Sequence, residues 1–269
     1  MEAQGTCAKG FEAVLHAFEA MFDDPQERGA GLCVQVGGQT VVDLWAGVAD
    51  LEGNKPWHHG TLANTFCTIK PLAAVAALML VEEGRLELDA PVARYWPEFA
   101  QGGKGRVTVR QVMTHTSGIP ALRGPNHNAM MYDWEHMVEI LAAEPLWWQP
   151  GTGLGYATTI FGWVIGELIR RVDGREPCTF IHERITRPHD LEVYLGVEEQ
   201  DFERIAHFDA AEGRVGDYYS EDLRKVIIAE PEHVATLAFT NPGMVPRRTC
   251  DPRWWAYRCL LYTSPSPRD

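Results

Sequence analysis

Cys67 and Lys70 stand three residues apart in Phe66-Cys67-Thr68-Ile69-Lys70-Pro71, just before the apolar run that starts at Leu72. Residues i and i+3 share a face of a helix, so this spacing sets a thiol beside an amine. The amine can accept the nucleophile's proton, and a helix N-terminus stabilises the negative charge left on sulfur. A second stretch, Trp148-Gln149-Pro150-Gly151-Thr152-Gly153-Leu154-Gly155-Tyr156-Ala157-Thr158, brings a tyrosine through a glycine-rich loop to the mouth of another helix. From there Tyr156 can reach a nucleophile on a different helix. It becomes a useful base only if a nearby cation lowers its pKa, and Lys70 is the candidate. The loop lacks the Gly-x-Gly-x-x-Gly order of a dinucleotide-binding turn and the strand that would precede one.

The remaining reactive side chains read as structural. His115 and Ser117 are two residues apart in the turn-rich Thr114-His115-Thr116-Ser117-Gly118, with no Gly-x-Ser-x-Gly elbow, so structural hydrogen bonding is expected of them. His58, His59, His127 and His136 show no metal-ligand spacing, and no metal or other cofactor is expected. Cys7, Cys33, Cys178, Cys250 and Cys259 form no disulfide or metal framework and are expected to be free and inert. Trp147 and Trp148 are expected in the core or in the wall of a cleft.

The elements that must position these groups follow from periodicity. Phe11, Val14, Leu15, Phe18 and Phe22 recur at helical spacing, which predicts a helix over about residues 8 to 22. Leu32 to Val36, Gly37-Gly38 and Thr40 to Trp45 read as a hairpin with a two-residue glycine turn. Leu72, Val75, Ala76, Met79 and Leu80 are expected as the buried stripe of the helix after Lys70, which Gly84 stops. Pro71 falls in its first turn, where a missing N–H costs least. Val107 to Met113 starts a helix or a short strand. Further helices are expected from about Trp134 to Ala143, and through Ile160, Trp163, Val164 and Leu168 to a stop at Asp173-Gly174. Beyond about residue 195 the pattern weakens, and Asn241-Pro242-Gly243 with Pro246 suggests irregular structure. There is no internal repeat and no low-complexity linker.

A chain of 269 residues, 45% hydrophobic, can bury a sizeable core. Its net charge of -13 argues against nucleic acid or an anionic membrane as partner. The longest apolar run, about Leu72 to Val81, is too short to span a bilayer. Met1 to Gly10 does not read as a secretory signal, so a cytoplasmic location is expected.

Taken in order, Phe66 to Pro71, Met113-Thr114-His115-Thr116-Ser117-Gly118 and Pro150-Gly151-Thr152 through Gly155-Tyr156 resemble successive motifs of the serine β-lactamase-like, or penicillin-binding-protein-like, superfamily. The likeness is nearest to the class C β-lactamase-related carboxylesterases of esterase family VIII. Val41 to Gly47 and Glu83 to Val92 agree with it, and it runs from about residue 11 to 258. The resemblance implies an α+β, β-lactamase/transpeptidase-like fold, an antiparallel sheet flanked by helices plus a mostly helical domain. It implies an N-terminal part of the sheet domain over residues 1–60, and the nucleophile helix with the helical domain over 61–258. By the resemblance, Cys67 stands where the family's acylated serine stands, Lys70 is its supporting lysine, and Tyr156 is the general base. Two departures matter: cysteine for serine at 67, and Thr158 where related β-lactamases carry the Asn of Tyr-x-Asn. The implied activity is hydrolysis of small carboxylic esters, or of β-lactams, through an acyl-enzyme, without cofactor. Acyl transfer to another alcohol is a variant, and a catalytically silent scaffold is the rival. The implied partner is a small-molecule ester or lactam; the oligomeric state is left open.

Residues 259–269 resemble, codon for codon, the translation of a sequencing-library adapter. The native sequence is therefore expected to stop near Arg258, without the C-terminal strands that carry the family's third motif. Such a fragment is expected to be inactive or nearly so.

Overall fold

The structure, a computed structural model, describes residues 1–50, 52–124, 128–209, 221–242, 248–249 and 263–265. The N-terminal elements are β1 (Gln4–Cys7), α1 (Glu12–Ala20), β2 (Gly29–Val36) and β3 (Gln39–Gly47). The three strands form one antiparallel sheet in the order β1-β3-β2. Gly37 and Gly38, with φ of +59° and +78°, make the two-residue turn between β2 and β3, because that turn needs left-handed backbone at both positions. Val42, Leu44 and Ala46 alternate along β3 onto one face, where they meet Phe18 of α1, with Phe11, Val14, Leu15 and Phe22 around them. The expected helix is thus present but starts at Glu12, after Gly10 with its positive φ. β1 was not foreseen, since Gln-Gly-Thr-Cys carries no apolar alternation.

The larger part is helical: α2 (Lys70–Glu82), α3 (Val109–Met113), α4 (Trp134–Ala143), α5 (Phe161–Asp173) and α6 (Pro177–Ile181). Short pieces follow: β4 (Val193–Leu195), β5 (Phe208–Asp209), α7 (Glu221–Ala229), α8 (Val234–Thr240), β6 (Arg248–Thr249) and β7 (Thr263–Pro265). β4 pairs antiparallel with β7, and β5 with β6. Helix α5 is the axis of the core, buried at every position from Phe161 to Ile169, and ends at Gly174 with φ +92°. Helix α2 packs against it through Ala73, Ala76, Ala77 and Leu80. This corrects the expected stripe. Val75 is exposed, and Leu72 and Met79 are only partly buried. An almost wholly apolar helix has no polar face to set its phase, and the side that approaches α5 closely is the one with small residues.

Two further devices hold the frame around the site. Thr108 and Gln111 form a reciprocal capping box that starts α3. Lys104, fully buried, donates from Nζ to the carbonyls of Gln101 (2.8 Å), Ala142 (2.9 Å) and Glu144, which ties off the C-terminus of α4 just before Trp147 and Trp148. Of the expected irregular segment, Asn241 and Pro242 form a turn; Gly243 and Pro246 lie outside the described residues. Among the described residues no helix is long and apolar enough to cross a membrane.

Candidate active site

Cys67 lies in a short 3₁₀ turn, Phe66–Ile69, that runs directly into α2. In a 3₁₀ turn side chains three apart eclipse, so Cys67 and Lys70 are brought closer than on an α-helix. Lys70 Nζ donates to Cys67 Sγ at 3.1 Å and to the Thr158 carbonyl at 2.9 Å. Lys70 is buried, while Cys67 remains partly accessible. Phe66, just before the thiol, has a left-handed φ of +48°, uncommon for a bulky residue. Its N–H donates to Asn64 Oδ1 at 2.8 Å, and its ring packs edge-on against Phe208.

The loop that carries Tyr156 is laid along the His115–Gly118 turn. The N–H groups of Trp147, Gly151 and Gly155 donate to the carbonyls of Gly118 (2.8 Å), Thr116 (2.8 Å) and His115 (2.9 Å). Ala157 N–H donates to His115 Nδ1 at 3.1 Å, so the residues on both sides of Tyr156 are held by one histidine. An amide can only donate, so Nδ1 accepts and the imidazole proton sits on Nε2. Burial, then the charge of Lys70, pushes His115 below its ordinary pKa and keeps the ring neutral for this role. The structural part expected of His115 is what the turn shows. Ser117 is buried and accepts from the Ile119 amide at 3.4 Å.

Glycines allow the loop to lie flat. A Cβ on Gly155 would come within 2.6 Å of the Trp148 ring and 3.0 Å of Pro120, and one on Gly118 within 2.3 Å of the Trp148 carbonyl. Trp148 is therefore the platform beneath Gly153 and Gly155, in keeping with the expected wall position. Trp147 is anchored beside it, donating to the Ala121 carbonyl at 2.8 Å under the Arg123 guanidinium.

The structure brings Cys67, Lys70 and Tyr156 together. The Tyr156 ring lies 5.0 Å from Lys70 Nζ and 4.6 Å from the His115 ring, and its hydroxyl is on the side of Cys67. Its acid–base character differs from the expectation. Lys70 does not lower the phenol; burial, then the hydrogen bond and charge of Cys67, push it above its ordinary value of 10.0. Lys70 lies over the ring face, with two of its three N–H groups on the sulfur and on the Thr158 carbonyl. Tyr156 is a proton donor at neutral pH.

Thr158 meets Lys70 through its backbone, which no side-chain pattern could reveal; its hydroxyl turns back to the Tyr156 carbonyl at 3.4 Å. Phe161, 6.0 Å from Lys70 Nζ and stacked on His115, completes the apolar wall and was missed, since an aromatic at a helix start reads as core. Among the described residues no group of three or more His, Cys, Asp or Glu could hold a metal ion. His59 instead meets Asp43 at 3.1 Å, and His127 lies outside the described residues, as do Cys250 and Cys259.

A family model described as Beta-lactamase matches residues 15–237. The Esterase/beta-lactamase LipL of Mycobacterium tuberculosis is 36% identical over 196 residues, 71% of this chain and 44% of that protein. Esterase EstB of Burkholderia gladioli is 31% identical over 191 residues, 63% of this chain and 48% of its own. The chain thus spans less than half the length of either relative. Among solved structures, a family VIII carboxylesterase superposes with a TM-score of 0.83 at 33% identity, covering 100% of this chain and 69% of that one. A penicillin-binding protein homologue from Caulobacter crescentus gives 0.84 at 31% identity, covering 98% and 68%. The fold is β-lactamase/transpeptidase-like, as the motif order implied.

Proposed function

The chain belongs to the beta-lactamase family, and from that premise we propose that the full-length protein hydrolyses small carboxylic esters through an acyl-enzyme on Cys67. The observation that carries this reading is the contact of Lys70 Nζ with Cys67 Sγ at 3.1 Å, with the Tyr156 ring 5.0 Å from the same ammonium. Esterase names among the relatives support the substrate class. Sγ attacks the acyl carbon, the carbonyl electron pair moves to oxygen, and collapse breaks the bond to the departing alcohol. That alcohol leaves with the proton that Cys67 gave up, and water then cleaves the thioester to acid and thiol. Lys70 faces the attacking sulfur; Tyr156, as a phenol, donates a proton or a hydrogen bond instead of acting as base. β-Lactam opening and transfer to another alcohol follow the same course. The net charge of -13 supports a small-molecule partner over nucleic acid or an anionic membrane.

The second reading, a catalytically silent scaffold, draws on the cysteine at position 67 together with the protonated Tyr156. The complete protein and its Cys67→Ser variant separate the two. An enzyme turns over a chromogenic short-chain ester in at least one form, by a reaction that Lys70→Ala abolishes. A scaffold does so in neither.

A further inference from the structure

Cys67 is a nucleophile that is also a good leaving group, and this restricts the acyl groups it can hold. In a tetrahedral intermediate the group whose conjugate acid is stronger departs first. An ordinary cysteine thiol has a pKa of about 8.5. An alkoxide is closer to hydroxide, whose conjugate acid has a pKa of about 15.7. An alkyl ester adduct therefore returns to ester and thiolate unless a strong acid protonates the alkoxide as it leaves.

The acids that the described residues place at the site are weak ones. Among the described residues, Lys70 holds the Cys67 sulfur and Tyr156 stands beside it. Lys70 is buried, with two of its three N–H groups directed at Sγ and at the Thr158 carbonyl. Its charge faces the sulfur in return as well as in attack. His115 is neutral, with Nδ1 engaged by the Ala157 amide. The Tyr156 phenol is the one half-exposed proton donor on the sulfur, and it is a weak acid.

We infer that Cys67 takes acyl groups from thioesters and aryl esters in preference to alkyl esters. This rests on the acyl-enzyme reading above and names the donor class of that site. With a thioester donor, a C–S bond forms to Cys67 as the C–S bond to the departing thiol breaks. The departing thiolate takes the proton that left Cys67, so a thiol and a carbonyl–sulfur bond stand on both sides. Water, adding later, releases the carboxylic acid and regenerates the thiol.

The test uses the complete protein with three butyryl donors: the thioester of N-acetylcysteamine, phenyl butyrate and ethyl butyrate. Peptide mass mapping follows acylation of Cys67 in time, with Cys7 and Cys33 as comparators. The thioester and the phenyl ester are expected to acylate Cys67 at least about a hundredfold faster than ethyl butyrate, and faster than either comparator. Tyr156→Phe should slow the phenyl ester more than the thioester, because a phenoxide needs the proton more than a thiolate does. Acylation by ethyl butyrate within about tenfold of the thioester overturns the donor preference and leaves the acyl-enzyme standing. No acylation of Cys67 by any donor overturns both.

Discussion

Cys67 has an ammonium 3.1 Å from its sulfur and stands at the entrance to a helix. Cys67 should therefore be alkylated by iodoacetamide faster than Cys33 or Cys178, as read by peptide mass mapping. Lys70→Ala should slow Cys67 alone, because the helix end remains. Equal labelling of all three would place Cys67 among the inert thiols. His115 makes a second prediction through its protonation. Its folded-state pKa is depressed, so between that value and 6.5 the unfolded chain binds more protons than the folded one. The stability it contributes is complete above pH 6.5 and is lost as pH falls through the folded value, where Nδ1 can no longer accept from Ala157. Melting temperature measured from pH 8 down to 5 should fall over this window, and His115→Asn should flatten that part of the profile.

Between elements, the site depends on a loop pressed against an indole. Gly155→Ala places a methyl 2.6 Å from the Trp148 ring and 3.0 Å from Pro120, and neither neighbour is the free end of a flexible chain. The loop must lift, and Tyr156 with it. A displacement of order 1 Å is expected to cost about 10²-fold in acylation of Cys67. The accompanying loss of stability should be about 1–3 kcal/mol. Gly153→Ala, whose methyl would sit 3.3 Å from Trp148 Nε1, should be milder in both acylation rate and denaturant midpoint. Equal behaviour of the two variants would mean that the platform does not set the position of Tyr156. Motif turn, loop and helix start thus act as one unit: His115 clamps the chain on either side of Tyr156, and Trp148 sets its height.

Across the molecule, the helical part is pinned by one buried carboxylate. Glu167, fully buried in α5, accepts from Arg170 Nε (2.8 Å), Arg171 Nε (2.7 Å) and Trp134 Nε1 (3.0 Å). The two arginines continue to Glu135 on α4 and to Glu98. Burial alone would raise the pKa of Glu167, but these partners outweigh it and hold it below 4.5. Its contribution is therefore complete above pH 4.5 and is lost as pH falls through the lowered folded value. Glu167→Gln leaves donors facing a neutral amide and should cost about 3 kcal/mol, at the low end for a broken buried pair because both arginines reach solvent. Denaturant melts of the variant and the parent at pH 7 measure it, and a cost near zero would remove Glu167 from the frame.

Much of this was legible in the chain itself. Residue order placed Cys67, Lys70 and Tyr156 in one family pattern, and the periodicity of α1, α4 and α5 and the Gly37-Gly38 turn marked the main elements. Those signals are local: spacing along a helix, a glycine where φ is positive, an apolar stripe against polar flanks. Tertiary structure alone decided three things. It chose the alanine face of α2 as the buried one, since an all-apolar helix has no phase until α5 lies against it. It turned the Thr158 carbonyl towards Lys70, a backbone contact 88 residues apart in the chain. And it kept Tyr156 a phenol, because whether a tyrosine beside a lysine gains or loses its proton depends on burial and on where the N–H groups point, and both are set only when the two helices meet.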